Sequence, residues 1–445
     1  MWERYSYYGM RSVLILYLTT QFISGGLGFD TATAASLYGT YTGAVYLTPI
    51  IGGYLTDRFI SLRTAITIDG ITMALGDFTL FAIQERWGLY LGLFLLIIGN
   101  GFFKPNISTL VGELYSKNDP RKDSAFTIFY MGINLGALFA PLIAGLLYEY
   151  VFYSTTGGIE HLGFKWAFLA SSIGMTLGQL TFNLFSKKYL GDVGTKPARA
   201  RTAPTNAEKA KPLTRHEKHR TAVIFILALF VIMFWVGFEQ AGASFTLYTE
   251  DFIDRTIFGY EVPTSFFQSL NPLFILLLAP VISALWIKLS KTKRGDFAIP
   301  TKMSFGLILM GAGFMVMVPA VMMTGSDEAN ITIKASMMFM VATYLLHTLG
   351  ELCLSPIGLS LVSKMAPLKL ASLLMGVWFL SNAAANYLAG QVAAMTAAFG
   401  YLEIFIYLGI ASIVLGFILL ALSKQIQKLM HLDELDDMDD VRALS

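Results

Sequence analysis

Charge and cysteine are both scarce in this chain. Only 14% of its 445 residues are Asp, Glu, Lys or Arg, against about 25% in soluble domains. Its one cysteine, Cys353, lies inside an apolar run, so no disulfide or cysteine-based metal site can form within the chain. The five histidines are scattered and include no His-x-x-x-His pair. With no nucleophile–base pair either, an intramembrane enzyme has nothing to work with. No ten-residue alternation of apolar and polar residues is present, which excludes a closed β-barrel. A cleavable signal peptide is absent too, because the first apolar stretch leads into further spans. Soluble enzymes, nucleic-acid-binding proteins and secreted disulfide scaffolds are thereby excluded.

What the chain does have is apolar length. It is 55% hydrophobic, with Phe 34, Tyr 21 and a mean hydropathy of +0.59. Runs of about 20 apolar residues, the length that crosses a bilayer as a helix, recur throughout. They fall at roughly 3–24, 33–59, 64–84, 88–115, 122–151, 163–186, 220–251, 264–289, 299–323, 333–364, 369–397 and 400–424. Backbone hydrogen bonding in lipid then leaves an all-α bundle of twelve transmembrane helices. The one long polar break divides it: residues 1–186 form an amino-terminal six-helix bundle, 187–219 a basic linker, 220–430 a carboxyl-terminal six-helix bundle and 431–445 an acidic tail.

Orientation follows from the cations. One set of alternate loops, with the linker and tail, holds 25 of the 32 lysines and arginines, and the opposite set holds Arg86, Lys165, Arg255 and Lys334. Both termini and the linker are therefore expected on the cytoplasmic side of the cell membrane. The linker and tail read as solvated tethers beside the lipid.

The halves resemble each other. A constant offset of 251 aligns Gly99, Pro105, Leu110 and Val111 of span 4 with Gly350, Pro356, Leu361 and Val362 of span 10. Such repeats belong to carriers that rock around a midplane site, a plan that channels seldom need.

Ionisable residues inside the spans mark that site, since each costs roughly 2.5–3.5 kcal/mol at a helix centre. The candidates are Glu3, Arg4, Arg11, Asp69, Asp77, Lys104, Glu239 and Glu351. Glu3, Arg4, Tyr7, Tyr8 and Arg11 form one polar stripe on helix 1. His347 lies one turn before Glu351, on the same face. All the cations among the candidates lie in the first half, while the second half has carboxylates alone, which suits a zwitterion such as a peptide or amino acid better than a lipid, sugar or hydrophobic drug. Helix-to-helix ion pairing, such as Arg11 with Glu239, is the purely structural alternative. Asp69 and Asp77 share one face of span 3 and pair or line water in the plainest reading. His347 reads as a hydrogen-bonded cavity histidine, Gly132 and Gly136 as close packing, and the sequon at Asn330-Ile331-Thr332 as coincidence.

The run Glu3-Arg4-Tyr5-Ser6-Tyr7-Tyr8-Gly9-Met10-Arg11 resembles the helix 1 motif of the proton-dependent oligopeptide transporter family, a branch of the major facilitator superfamily. Phe126-x-x-Phe129-Tyr130-Met131-x-Ile133-Asn134-Leu135-Gly136-Ala137-Leu138 resembles its helix 5 signature. Gly52-Gly53-x-Leu55-x-Asp57-Arg58, Phe102-Phe103-Lys104-Pro105-Asn106, Phe238-Glu239-Gln240, Ser269-x-Asn271-Pro272, Gly350-Glu351-Leu352 and Trp378 extend the likeness along nearly the whole chain. The resemblance implies the major facilitator fold and import of di- and tripeptides, with protons as the coupling ion, no cofactor, no nucleic acid and no obligate protein partner. Carried over, Arg4, Tyr8, Arg11 and Lys104 would receive the peptide carboxylate, and Asn134, Asn271 and Glu351 its amino terminus. Tyr7, Tyr46 and Trp378 would line side-chain pockets. Glu3 and Glu239 would take protons, with Glu239 paired to Arg11 in an outer gate.

Three departures stand out. The family motif has another glutamate three residues before Glu3, a position that does not exist in a chain starting at Met1, so a truncated amino terminus is expected. Residues 187–219 have no apolar run for the two extra helices common in bacterial members. Gly39 falls where mammalian members carry a helix 2 histidine, and the loop between spans 9 and 10 is short, both pointing to a prokaryotic protein. Relatives that move nitrate or another small metabolite are the alternative reading, but a nitrate carrier would not need Glu351. A drug exporter of the superfamily would lack the cationic cluster.

Overall fold

The computed structural model describes residues 1–115, 119, 121–197, 213–293, 295–325, 331–354, 361–362, 365–367 and 369–431, apart from the side chains of Lys104, Pro105, Asp123 and Ser372. Within it the apolar runs become twelve helical spans. Helices 1 to 6 are Trp2–Thr19, Thr31–Arg58, Leu62–Ala82, Arg86–Glu113, Arg121–Leu146 and Phe164–Leu190. Helix 7 is broken into Arg215–Phe238 and Ser244–Phe252. Helices 8 to 12 are Leu270–Ser290, Ile299–Thr324, Met338–Leu354, Ala371–Phe399 and Tyr401–Met430. Among the described residues, seven helices are long and apolar enough to cross a membrane by length and composition alone.

Local chemistry sets several boundaries. Asp30 caps helix 2 by accepting from the Thr33 amide at 2.9 Å. Thr214 and Glu217 form a reciprocal capping box that starts helix 7 at Arg215. Helix 6 runs on to Leu190 with Lys187 and Lys188 in its last turn, where cations suit the helix dipole. Helical structure therefore enters both ends of the segment expected as linker, whose residues 198–212 lie outside the described ones. Helix 1 ends at Thr19, short of the expected 24, because the chain turns at Phe22–Ser24 and reverses at Gly25 with φ of +94°. Helix 10 starts at Met338 rather than near 333, since Ala335–Ser336 pairs instead with Ile253–Asp254. Its aligned Pro356 and the acidic tail beyond His431 fall outside the described residues.

The packing repeats between halves. Helix 3 packs on helices 4 and 6, and helix 9 packs on helices 10 and 12. The aligned glycines play matching parts: a Cβ on Gly99 would lie 3.1 Å from the Met73 amide nitrogen of helix 3, and one on Gly350 2.8 Å from the Gly306 carbonyl of helix 9. Small residues at these crossings let backbones approach where lipid offers no hydrophobic drive. Large apolar side chains such as Phe78, Leu184, Val281, Met322 and Phe417 are exposed instead, as a surface facing hydrocarbon requires.

The halves meet along helix 2 with helix 11, helix 5 with helix 8, and helix 1 with the broken helix 7. At the first seam Gly39 and Gly390 touch backbone to backbone, and a Cβ on Gly39 would lie 2.5 Å from the Gly390 Cα. No histidine fits at position 39 in this arrangement. Gly136 likewise seats the start of helix 1 on helix 5, its Cβ position 2.5 Å from the Met1 carbonyl oxygen. Gly39→Val is expected to destabilise this packing by about 1–3 kcal/mol, the range for overpacked sites, read as a lowered Tm of the purified protein.

Candidate functional site

The polar stripe of helix 1 is buried almost throughout: Glu3, Arg4, Tyr7 and Arg11 are each less than a tenth exposed. A guanidinium placed there must find acceptors, and Arg11 finds two. Its Nε donates to Tyr38 Oη of helix 2 at 2.6 Å, and its Nη2 donates to Glu239 Oε2 of helix 7. The pair joins the two halves. Helix 7 accommodates it by breaking: Glu239–Gly242 is a 3₁₀ turn, and Ala243 leaves helical geometry at φ −127°, ψ −99°. Gly242 is required, because a Cβ there would sit 1.9 Å from Tyr38 Oη.

The break is satisfied from around it. The freed Ala241 carbonyl accepts from Thr246 Oγ1 at 2.8 Å and Tyr344 Oη at 3.4 Å. Gln240 Nε2 donates to the Ala389 carbonyl of helix 11 at 3.1 Å, and its Oε1 accepts from Ser244 Oγ at 2.6 Å. Glu239 is thus held at a fixed height in the bundle by a neighbour that never touches the cavity.

Beside the pair lies a cavity of about 160 Å3. Helices 1 and 2 give it Tyr8, Arg11 and Tyr46; helix 5 gives Tyr130, Asn134 and Pro141 along one face. From the other half come Glu239 and Trp235 of helix 7, Gln268 and Asn271 at the start of helix 8, and Tyr344, His347 and Glu351 of helix 10. Asn271 Nδ2 donates to Glu351 Oε2 at 2.8 Å and lies 3.1 Å from Thr348 Oγ1. Asn134 Nδ2 is bonded within its own helix to the Tyr130 carbonyl at 3.0 Å. His347 Nε2 donates to the Met310 carbonyl at 3.0 Å, with Phe245 and Phe314 packed on its ring.

The structure therefore brings Tyr8, Arg11, Tyr46, Asn134, Glu239, Asn271 and Glu351 to one cavity. Glu3, Arg4, Tyr7 and Trp378 do not line it. Arg4 instead forks onto its neighbour Glu3, with Nε–Oε2 and Nη2–Oε1 distances of 2.6 and 2.8 Å, under the Tyr7 ring. Trp378 is only 6% exposed. The Lys104 side chain lies outside the described residues. Tyr344 was legible in the spacing Tyr344, His347, Glu351, which repeats along one helix face. Gln268 sits in a short 3₁₀ turn, where no periodicity points to it.

Cross-half contacts concentrate on the side of the cavity away from the chain termini. Ser265 and Ser269 donate to the Pro141 and Leu138 carbonyls of helix 5, each at 2.8 Å. Gln268 Nε2 donates to the Ser12 carbonyl at 3.2 Å. Further out, Arg255 bridges Glu149 of the first half at 3.4 Å and Glu261 of its own at 3.0 Å. Burial opposes the charge on Arg255, yet Glu250 and Glu149 hold its guanidinium above the ordinary arginine range. The far side is closed.

Comparison with known proteins agrees with this architecture. The sequence profile of the POT family matches residues 63–203 and 199–404. An uncharacterised transporter, YclF, of Bacillus subtilis (strain 168) is 37% identical, the match covering 96% of this chain and 92% of that one. The peptide transporter YePEPT of Yersinia enterocolitica is 34% identical over 88% of this chain and 85% of its own. A crystal structure of a mutant peptide transporter POT with alafosfalin superposes with a TM-score of 0.85 at 32% identity, covering 96% and 93% of the two chains. A POT family transporter holding 5-aminolevulinic acid gives 0.84 at 31%, with 96% and 94% covered. Twelve helices in two repeated halves, a closed seam at Arg11 and Glu239, and matches over nearly the full length lead to one assignment: the chain is a multi-pass membrane protein of the POT family, with the major facilitator fold.

Proposed function

We propose that this chain imports di- and tripeptides together with protons, by alternating access of the cavity between its halves, from a cell membrane in which both termini face the cytoplasm. The observation that carries this reading is the charge of the two walls. The amino-terminal wall has Arg11 with Arg4 behind it, and the carboxyl-terminal wall has Glu351 presented by Asn271. A zwitterion spanning the cavity meets an opposite charge at each end. Relatives described as peptide transporters and di-/tripeptide transporters support the same substrate class. A nitrate carrier has no use for Glu351.

The coupling follows from the ion pairs. A proton on Glu239 removes the charge that holds Arg11 across the seam, and the far side can then open. A proton on Glu3 releases Arg4 in the same way, so a peptide carboxylate and Glu3 compete for one guanidinium. Lys104 is a third cation for that carboxylate. Varied side chains are tolerated where aromatic walls such as Tyr46, Tyr130 and Trp235 leave room for water.

Purified protein in liposomes should accumulate dialanine when the interior is alkaline by about one pH unit, worth roughly tenfold per coupled proton. Glu239→Gln should keep counterflow exchange and lose that accumulation. If correctly inserted protein moves no dialanine in either mode, the peptide reading fails and small anions come forward. The seam itself is checked by thermal unfolding. Arg11→Leu strands a buried carboxylate and should cost about 3–5 kcal/mol, whereas Arg11→Leu with Glu239→Leu should recover most of it.

A further inference from the structure

Behind helix 1, away from the cavity, lies a second group of buried polar side chains that the peptide reading leaves unused. Asp69 and Asp77 of helix 3 are both fully buried. They do not pair with each other: Asp77 Oδ2 accepts from Ser6 Oγ at 2.6 Å, while both oxygens of Asp69 lack any hydrogen-bond partner. Asn100 of helix 4, in the same layer, donates to Glu3 Oε1 at 3.5 Å and leaves its own Oδ1 unpartnered. Its neighbour Gly99 lies against the Asp69 turn, with a Cβ position 3.2 Å from the Asp69 carbonyl.

The unmet groups here are mostly acceptors. Besides the Tyr7 and Tyr41 hydroxyls they are both Asp69 oxygens, Asp77 Oδ1 and Asn100 Oδ1. A buried site with surplus acceptors is short of donors, and the smallest donor that supplies one is a proton on a carboxylate. The charged groups that act on Asp69 are Glu3 and Arg4 of helix 1. Helix 4 adds neutral Asn100, helix 6 adds neutral Gln179 against Gly70, and helix 3 itself adds only Asp77, two turns away.

We propose that Asp69 is a third proton-binding site beside Glu239 and Glu3, taking up and releasing one proton in each cycle in exchange with Glu3. It rests on the proton-coupled reading above. The step is a simple transfer. When a peptide carboxylate takes Arg4, Glu3 is left as an unpaired buried anion. Once Arg4 has left, the two carboxyl groups come into contact, the Asp69 O–H breaks as the Glu3 O–H forms, and the negative charge passes to Asp69. Glu3 gives that proton to water when the peptide leaves and Arg4 returns, and then relays a new proton from water to the buried Asp69. Asp77 has the same burial but neither Glu3 nor Arg4 beside it, and it serves only as a hydrogen-bond partner of Ser6.

The experiment compares wild type, Asp69→Asn, Asp69→Glu and Asp77→Asn in liposomes, reading dialanine counterflow, accumulation under an imposed pH gradient, and protons entering per dialanine with a trapped pH dye. Asp69→Asn should retain counterflow within about twofold, lose one proton per peptide, and accumulate about tenfold less per pH unit of gradient. Asp69→Glu should restore the proton count, and Asp77→Asn should leave it unchanged. An unchanged proton count in Asp69→Asn overturns the proposal, as does an equal loss in Asp77→Asn. Accumulation that follows a sodium gradient at constant pH also overturns it, since the surplus acceptors then hold a metal cation. Failure of wild type to accumulate at all would instead sink the coupling reading itself, before any variant is compared.

Discussion

A guanidinium and a carboxylate, taken out of water and held against each other across the seam, organise this molecule. Burying either alone costs several kcal/mol, so Arg11 and Glu239 hold each other in place. Through them helix 1 is held to helix 7. Tyr38 fixes the second face of the guanidinium, and Gly242 exists to let Tyr38 in. The broken turn of helix 7, its stapling by Gln240 to helix 11 and the capture of the Ala241 carbonyl all follow from that contact. Among the described residues it is one of two ion pairs that join the halves, the other being Arg255 with Glu149 further out.

Two kinds of seam do different work. The outer hydrogen bonds from Ser265 and Ser269 use backbone carbonyls as acceptors and do not titrate. Arg255 adds charge further out, between Glu149 and Glu261. The Arg11–Glu239 pair thus sits in the middle of a closure whose outer ties, from Ser265, Ser269 and Arg255, do not depend on it.

Most of the architecture was legible because apolar length is a strong signal: all twelve spans emerge from runs near 20 residues, with boundaries displaced where a turn or strand intervened. The break in helix 7 was not legible. Its sequence carries no proline around Glu239 and runs on through small residues, Ala241, Gly242 and Ala243, and only the packing of Tyr38 shows why the chain cannot continue. The fork between Glu3 and Arg4 was hidden for a geometric reason, since adjacent residues on a helix do not face one another. Their pairing needs both side chains to bend into the same buried space. Trp378 illustrates the opposite difficulty: likeness to a motif placed it among pocket residues, whereas here it packs within the core. Asp69 and Asp77 look equivalent in sequence, sharing a face and a spacing. Only the surroundings distinguish one with a hydroxyl donor from one with none.

The contact between Gly39 and Gly390 has a consequence for leakage. Where two helices meet through interlocking side chains, small gaps remain at the level of each rotamer, and polar tips invite a file of water. Here backbone lies on backbone, with a Cβ position on either glycine less than 3 Å from the other's Cα. No space is left for a hydrated thread, and nothing in the contact can carry a proton. A carrier driven by a gradient loses its power through any short circuit across the closed end. At this crossing the insulation is provided by the absence of side chains, and Ser36 Oγ, donating to Gln391 Oε1 at 2.9 Å, adds one polar tie beside it that opening must break.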